Sequence, residues 1–271
     1  MVSKTSTKII RLTIVYALVL VLFLPLIALI IWSFSNNWPW PQLWPQTFTL
    51  EGWKFFINPI NGAWQALKTS FLIGIGVTIL ALAISIPAGK ALGIYDFPGK
   101  EFIKILVLAP IIIPPLAVTM GIHINFIRYG LSDTILGVIL VHLIPTIPYS
   151  IRILTNVFEA SGEKLEAQAQ VLGASVWQRF IYITLPMIYP GIFSAGIMVF
   201  IISFSQYFLT FLIGGGQVVT FPMVLFPLVK SGDRMLAAVY SWVFIIAALA
   251  FTLIMERLFK NDEIRSDHFH L

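Results

Sequence analysis

Residues 155–186 read TNVFEASGEKLEAQAQVLGASVWQRFIYITLP, a polar island between apolar runs, and the reading of the whole chain turns on it. Ala, Gln, Glu and Leu crowd 163–172, and all are strong helix formers. Gly173 ends that pattern, as a glycine at a helix C-cap does. Leu185-Pro186 follows, and an uncharged run begins at once. The layout is A-x-A-x-x-x-G-(nine residues)-I-x-L-P, carried by Ala167, Ala169, Gly173, Ile183, Leu185 and Pro186. Gln168 stands between the two alanines, Glu166 just before them, and Ala174-Ser175 directly after the glycine. A helix with a glycine cap accounts for the first half. It does not account for a Leu-Pro placed at the mouth of a membrane-length run.

The sequence on either side is too apolar for a soluble core. Hydrophobic residues make up 58% of the 271, charged residues 11%, and the mean hydropathy is +0.92. A globule of this size has too little interior to hide so much apolar surface. A helix needs about 20 apolar residues to cross a hydrocarbon core about 30 Å thick. The uncharged runs predict six such helices, at 12–34, 69–89, 104–127, 134–153, 187–211 and 236–256. Lipid cannot satisfy backbone N–H and C=O groups, so helices are the expected form. The expectation is an all-α membrane protein forming a single domain over 1–271, with 155–186 as its polar loop.

That loop resembles the EAA loop of the membrane-spanning subunits of binding-protein-dependent bacterial ABC importers. In that family the first position is normally Glu and the second Ala. Here they are Ala167 and Gln168, with Glu166 one residue early. The resemblance implies a type I importer permease, with a peripheral first helix and a five-helix core. It implies that the loop couples to a separate ATPase through Glu166, Ala167, Gln168, Ala169, Gly173, Ala174, Ser175, Ile183, Leu185 and Pro186. Two ATP-binding subunits, a second permease subunit and an extracytoplasmic solute-binding protein are the partners it implies, with membrane lipid as the surroundings. The chain is then a transport subunit of the bacterial plasma membrane, and ATP hydrolysis belongs to a partner.

Charge supports the same orientation independently. With the N-terminus in the cytosol, Lys4, Lys8, Arg11, Lys90, Lys100, Lys104, Arg152, Lys164, Arg179, Arg257, Lys260 and Arg265 fall inside. Lys54, Lys68, Arg128, Lys230 and Arg234 fall outside. Twelve against five is a positive-inside bias that puts both termini and 155–186 in the cytosol. The formal net charge of +5 is therefore a topological signal, with no nucleic acid expected. The first run is too long for a secretion signal, carries Pro25 at its centre and lacks a small-residue cleavage site, so a retained helix is expected.

No cysteine is present, which excludes disulfides and thiolate metal sites. Neither Gly89-Lys90 nor Gly99-Lys100 has the glycine five residues upstream or the following Ser/Thr of a P-loop. No cofactor and no metal are expected. Outside, 35–66 alternates Trp with Pro; Pro39, Pro41 and Pro45 forbid a continuous helix, and Trp38, Trp40, Trp44, Trp53 and Trp64 suit an interfacial belt. Pro98-Gly99 punctuates a short cytosolic turn. Pro110, Pro114 and Pro115 are expected to break the third span, and Pro145 and Pro148 to kink the fourth. Gly214–Gly216 marks a turn, and 218–229 is apolar but too short to cross.

Polar side chains inside spans usually face the bundle interior or water. On the fifth span Ser203, Gln206 and Thr210 share one helical stripe at i, i+3 and i+7. His142, Thr146 and Tyr149 do so on the fourth, and Thr119 and His123 on the third. These are the pathway candidates, weighed evenly against polar helix–helix packing. Ser203-Phe204-Ser205-Gln206-Tyr207 resembles the S-F-D-E-aromatic segment of permeases of the polyamine type and their phosphonate-importing relatives. The two acids are absent, which disfavours a polyamine and favours a small polar organic solute, anionic or neutral. A secondary transporter or channel subunit is the rival reading. It would want intramembrane acids, and none lies in the interior of the six spans; Asp133 and Glu256 sit at their edges. An intramembrane hydrolase would want a nucleophile beside a base, and no such motif accompanies His123 or His142.

Overall fold

The computed structural model describes residues 4–38, 41–113 and 115–267, with side chains over 11–36, at 38, and over 41–113 and 118–257. Pro39, Trp40 and Pro114 lie outside the described residues, as do the side chains of Lys4, Lys8, Pro115, Lys260 and Arg265. Twelve helices follow the chain among the described residues: α1 (Lys4–Ser33), α2 (Glu51–Ile57), α3 (Ala63–Ile94), α4 (Lys100–Ile112), α5 (Pro115–Arg128), α6 (Ile135–Ser161), α7 (Lys164–Val171), α8 (Val176–Arg179), α9 (Leu185–Phe204), α10 (Phe208–Gly214), α11 (Phe221–Ser231) and α12 (Arg234–Asp267). A 3₁₀ turn covers Pro59–Asn61 and a π turn Phe180–Thr184.

Five helical stretches are long and apolar enough to cross a membrane: Arg11–Ser33, Ala63–Ile94, Ile135–Ser161, Val176–Phe204 and Arg234–Arg257. The remaining expected span, the third at 104–127, is two shorter helices instead. The break falls after Ile113, whose extended backbone (φ −77°, ψ 132°) ends α4. A residue preceding proline is driven out of the helical region, and Pro115 at the head of α5 has the fixed φ a helix start wants. Pro110 is absorbed inside α4 and causes no break.

Two further boundaries differ from expectation. The fourth span runs on to Ser161, so the first seven residues assigned to the polar loop belong to α6. The fifth span stops at Phe204 and a new helix begins at Phe208, so Ser203, Gln206 and Thr210 do not share one helical stripe. Ser205 turns its hydroxyl back onto the Ile202 carbonyl at 3.0 Å, the local competition with the backbone that weakens a helix interior. The all-α expectation also misses a small hairpin, β1 (Ser35–Asn37) against β2 (Thr47–Phe48), antiparallel with Ser35 opposite Phe48.

The chain divides into two compact units. One comprises Met1–Trp64 and Leu225–Ile246. Here Phe56 is buried with Trp64 at 5.2 Å and Tyr240 at 5.3 Å between ring centroids, and Arg234 lies 5.7 Å over the Trp32 ring. The apolar stretch of α1 leaves most of its side chains exposed, with Ser33 buried at its end.

The other unit, Gln65–Val224 with Ala247–Leu271, holds the main core. Ile73, Val77, Val138, Val141, Val199 and Ile213 are its buried centre, drawn from α3, α6, α9 and α10. Glycines set how closely α3 meets α6. A Cβ on Gly89 would stand 2.8 Å from the Leu154 Cβ, and one on Gly93 2.8 Å from the Phe158 Cβ and the Thr155 carbonyl. Small residues four apart let two helix backbones touch, the packing that membrane helices use in place of a hydrophobic drive. Ser85 and Ser150 hydrogen-bond across the same seam at 2.5 Å.

Candidate functional site

Two places in this second unit concentrate the sequence-expected residues. The first is the polar loop, where α7 carries Glu166, Ala167, Gln168 and Ala169. Leu172 and Gly173 close it, and Gly173 adopts φ 85° with nothing within 4 Å of where a Cβ would be. That left-handed conformation is strained for any residue with a Cβ, so glycine is required by backbone shape alone. The chain reverses, and Ser175 starts α8 with a reciprocal capping box: its hydroxyl accepts from the Gln178 amide, and its own amide donates to the Gln178 side chain.

What the loop presents outward is apolar. Val171, Leu172, Val176 and Trp177 are exposed at 88%, 87%, 68% and 74%, four large hydrophobic side chains clustered on one turn of chain. Ala167 and Gln168 are exposed as well, while Ala169, Ala174, Ile183 and Leu185 are half-buried. Arg179 donates to Gln170, tying α8 to α7. Glu166 faces the other way. Lys90 at the end of α3 donates to both of its carboxylate oxygens, at 2.7 and 2.8 Å, and Thr184 donates to it at 3.2 Å. Sequence reasoning named Glu166 and missed both partners. Lys90 is 76 residues away, and no local signal links the two.

Beyond the loop, Leu185 donates its amide to the Phe180 carbonyl, an i to i+5 bond that makes Phe180–Thr184 a π turn. Pro186 occupies the first turn of α9, where its missing N–H costs nothing.

The second place lies among the spans. His142 is fully buried, with Nδ1 2.9 Å from Ser203 Oγ and Nε2 2.9 Å from Thr210 Oγ1. Thr210 also donates to the Gln206 carbonyl at 3.2 Å. Its one proton is thereby used, so it accepts from Nε2–H, and Ser203 donates to Nδ1. This neutral, closed node pins α6 to both halves of the interrupted fifth span. Thr146, fully buried, folds its hydroxyl onto its own helix at the His142 carbonyl, 2.8 Å away. The two expected stripes therefore meet each other.

Gln206 and Thr119 come together elsewhere. Both line a cavity of about 510 Å³, walled by Ala109, Pro110, Pro145 and Phe208 among others. Gln206, in the break after α9, is half-buried and its amide engages no other described residue. His123 and Tyr149 are half-buried and do not line this cavity.

The arrangement of long helices, an interrupted fifth span and a folded loop ahead of it defines a class. It superposes on a solved bacterial ABC transporter involved in the import of the acidic polysaccharide alginate, with a TM-score of 0.75 over 95% of this chain and 98% of that one at 14% identity. Sequence gives the family. Residues 85–261 match the binding-protein-dependent transport system inner membrane component, and the chain belongs to that family of ABC transporter permeases. It is a multi-pass membrane protein whose family works with ATPase and substrate-binding partners. The chain is 35% identical over 142 residues to a molybdate/tungstate transport system permease protein of Thermococcus kodakarensis, a match covering 52% of this chain and 57% of that protein. It is 27% identical over 242 residues to a Salmonella typhimurium permease protein named for a 2-aminoethylphosphonate transport system, covering 88% of this chain and 89% of the relative. The phosphonate-type resemblance drawn from Ser203–Tyr207 agrees with that likeness.

Proposed function

We propose that this chain is half of the translocation pathway of an ATP-driven importer for a small solute bearing an oxyanion. Its loop couples it to two ATP-binding subunits, and a second permease subunit, homologous or identical, completes the pathway. An extracytoplasmic binding protein delivers the solute. Six crossings follow if α4 and α5 cross together as one interrupted span beside the five long helices, with α1 peripheral and both termini cytosolic in a bacterial plasma membrane.

The observation that carries the coupling is the exposed apolar knuckle of Val171, Leu172, Val176 and Trp177, held beside Gly173 by a left-handed glycine turn and a capping box. Apolar side chains so exposed on a polar loop suit the cleft of a protein partner. The cargo rests on two supports. Two relatives are named for molybdate/tungstate and for 2-aminoethylphosphonate, all anionic at oxygen. Ser205 and Gln206 leave the fifth-span break without the carboxylates a polycation would want. At about 510 Å³ the cavity has the volume of a small-molecule site, and an amide and a hydroxyl give it neutral hydrogen-bonding groups. Among the described residues no pair of acids in the spans supports ion-coupled transport.

Reconstitution with the cognate ATPase, second permease and binding protein tests this. Molybdate or 2-aminoethylphosphonate should stimulate hydrolysis and enter proteoliposomes, and spermidine should do neither. Stimulation by spermidine alone would reverse the cargo assignment. Topology is read separately by cysteine labelling in a chain with no native cysteine. An impermeant reagent should label Asn36→Cys from outside and miss Ser161→Cys.

A further inference from the structure

We propose that Glu166, Lys90 and Thr184 form a latch that passes movement of the loop into the second span, making Glu166 and Lys90 the positioning residues for coupling. The inference rests on the importer reading above and deepens it. Three separate elements meet at one carboxylate: α7 through Glu166, α3 through Lys90, and the π turn through Thr184. The ion pair is part-buried, its two side chains only 23% and 18% exposed. The other ion pairs described at this end of the chain each include a more exposed side chain: Asp96 at 98%, Glu101 at 79% and Glu159 at 45%. A shielded two-oxygen contact is the one arrangement here stiff enough to transmit a pull.

What Lys90 is attached to gives the pull a destination. It follows Gly89, which touches Leu154 and the Thr155 amide, and Gly93 one turn on touches Phe158. Ser85 bonds Ser150 on the same seam. At these contacts α3 and α6 have no slack, so displacement of α7 drags Lys90, and Lys90 moves the α3–α6 pair. Pro145, which lines the cavity, and His142, which holds both parts of the fifth span, lie further along α6. Thr184 adds a second route, since it ends the π turn at the foot of α9. The face of α7 that carries Ala167 and Gln168 stays free for the partner, because the carboxylate one residue earlier is held within the chain.

The test measures solute moved per ATP in the full reconstituted complex. Lys90→Met should recruit the ATPase and retain basal hydrolysis. Lys90→Met and Glu166→Gln should both lose stimulation by loaded binding protein by about 2- to 30-fold, the range of coupling changes along such networks. The reversed pair Lys90→Glu with Glu166→Lys should recover most of that stimulation. Thr184→Val, which removes one contact and leaves the ion pair, should give a smaller loss in the same direction and covers the case in which the charge variants fail to fold. Lys100→Met, which breaks only the exposed pair with Asp96, serves as the control. Full stimulation in Glu166→Gln or Lys90→Met would overturn the proposal. So would a loss that merely tracks reduced ATPase recruitment, which is what a structural tie alone would produce. A wild-type chain that recruits no ATPase would instead defeat the importer reading.

Discussion

The polar loop and the polar groups within the spans use the same residue types to opposite ends. In the loop, polar side chains close locally: Ser175 and Gln178 cap α8, and Arg179 donates to Gln170 on α7. That local closure leaves the large side chains Leu172 and Trp177 outside. In the spans the polarity is turned inward, with His142, Ser203 and Thr210 closed on one another and fully or nearly fully buried. The loop thus exposes its large hydrophobic side chains, and the spans close their polar ones on one another. Gln206, at a break in a helix, keeps its side-chain amide open on the cavity.

The comparison is tested hardest at Gly173. Gly173→Val forces a β-branched residue into φ 85°, at a cost of about 1–2 kcal/mol, and re-aims the apolar knuckle. Uptake and ATPase co-purification should fall together by about 5- to 30-fold, since 1.4 kcal/mol is tenfold in an equilibrium. Membrane insertion and pairing with the second permease should be unchanged. Co-purification at the wild-type level would show that the knuckle is not the contact.

The knot gives the next largest effect, and of a different kind. His142→Ala leaves the Ser203 and Thr210 hydroxyls short of their partner, at about 1–3 kcal/mol per unsatisfied group. The unfolding temperature of the purified complex should drop while the KM for solute stays put. A changed KM with unchanged stability would move His142 from knot to pathway.

Gln206→Leu should do the reverse. Losing one hydrogen bond to solute, worth about 1 kcal/mol, should raise KM about fivefold or shift selectivity, with stability untouched. Normal kinetics would strike Gln206 from the site. Ala167→Glu should have the smallest effect, about twofold in uptake, because an exposed charge pair typically contributes only about 0.3–0.5 kcal/mol. A large loss would mean that the partner surface is apolar at that point.

Much of this was legible in order along the chain. Gly173 reads as a left-handed stop because only glycine takes that conformation freely, and Pro114-Pro115 reads as a break because neither a preceding residue nor a helix interior tolerates it. The break at Ser205 was not legible. No Gly or Pro marks it, and the His142 ring that fixes both sides comes from 61 and 68 residues away. The same distance hides Lys90 from Glu166. The hairpin at Ser35 is too short for any alternation to register, and a backbone bond from the Thr49 amide to the Phe34 carbonyl, 2.7 Å long, closes it. Stripes on a helical wheel rank residues by face; which face meets a neighbour is a tertiary fact.

The π turn at Phe180–Thr184 has a consequence for how such a loop diverges. Each residue advances a helix by about 100°, and a π turn holds one residue more than the α-helical path requires. Deleting any one of the five would return the segment to ordinary winding and swing α7 and α8 through that angle about the axis of α9, with every side chain kept. Substitutions adjust a docking surface by degrees, whereas an insertion or deletion here would change its phase in one step.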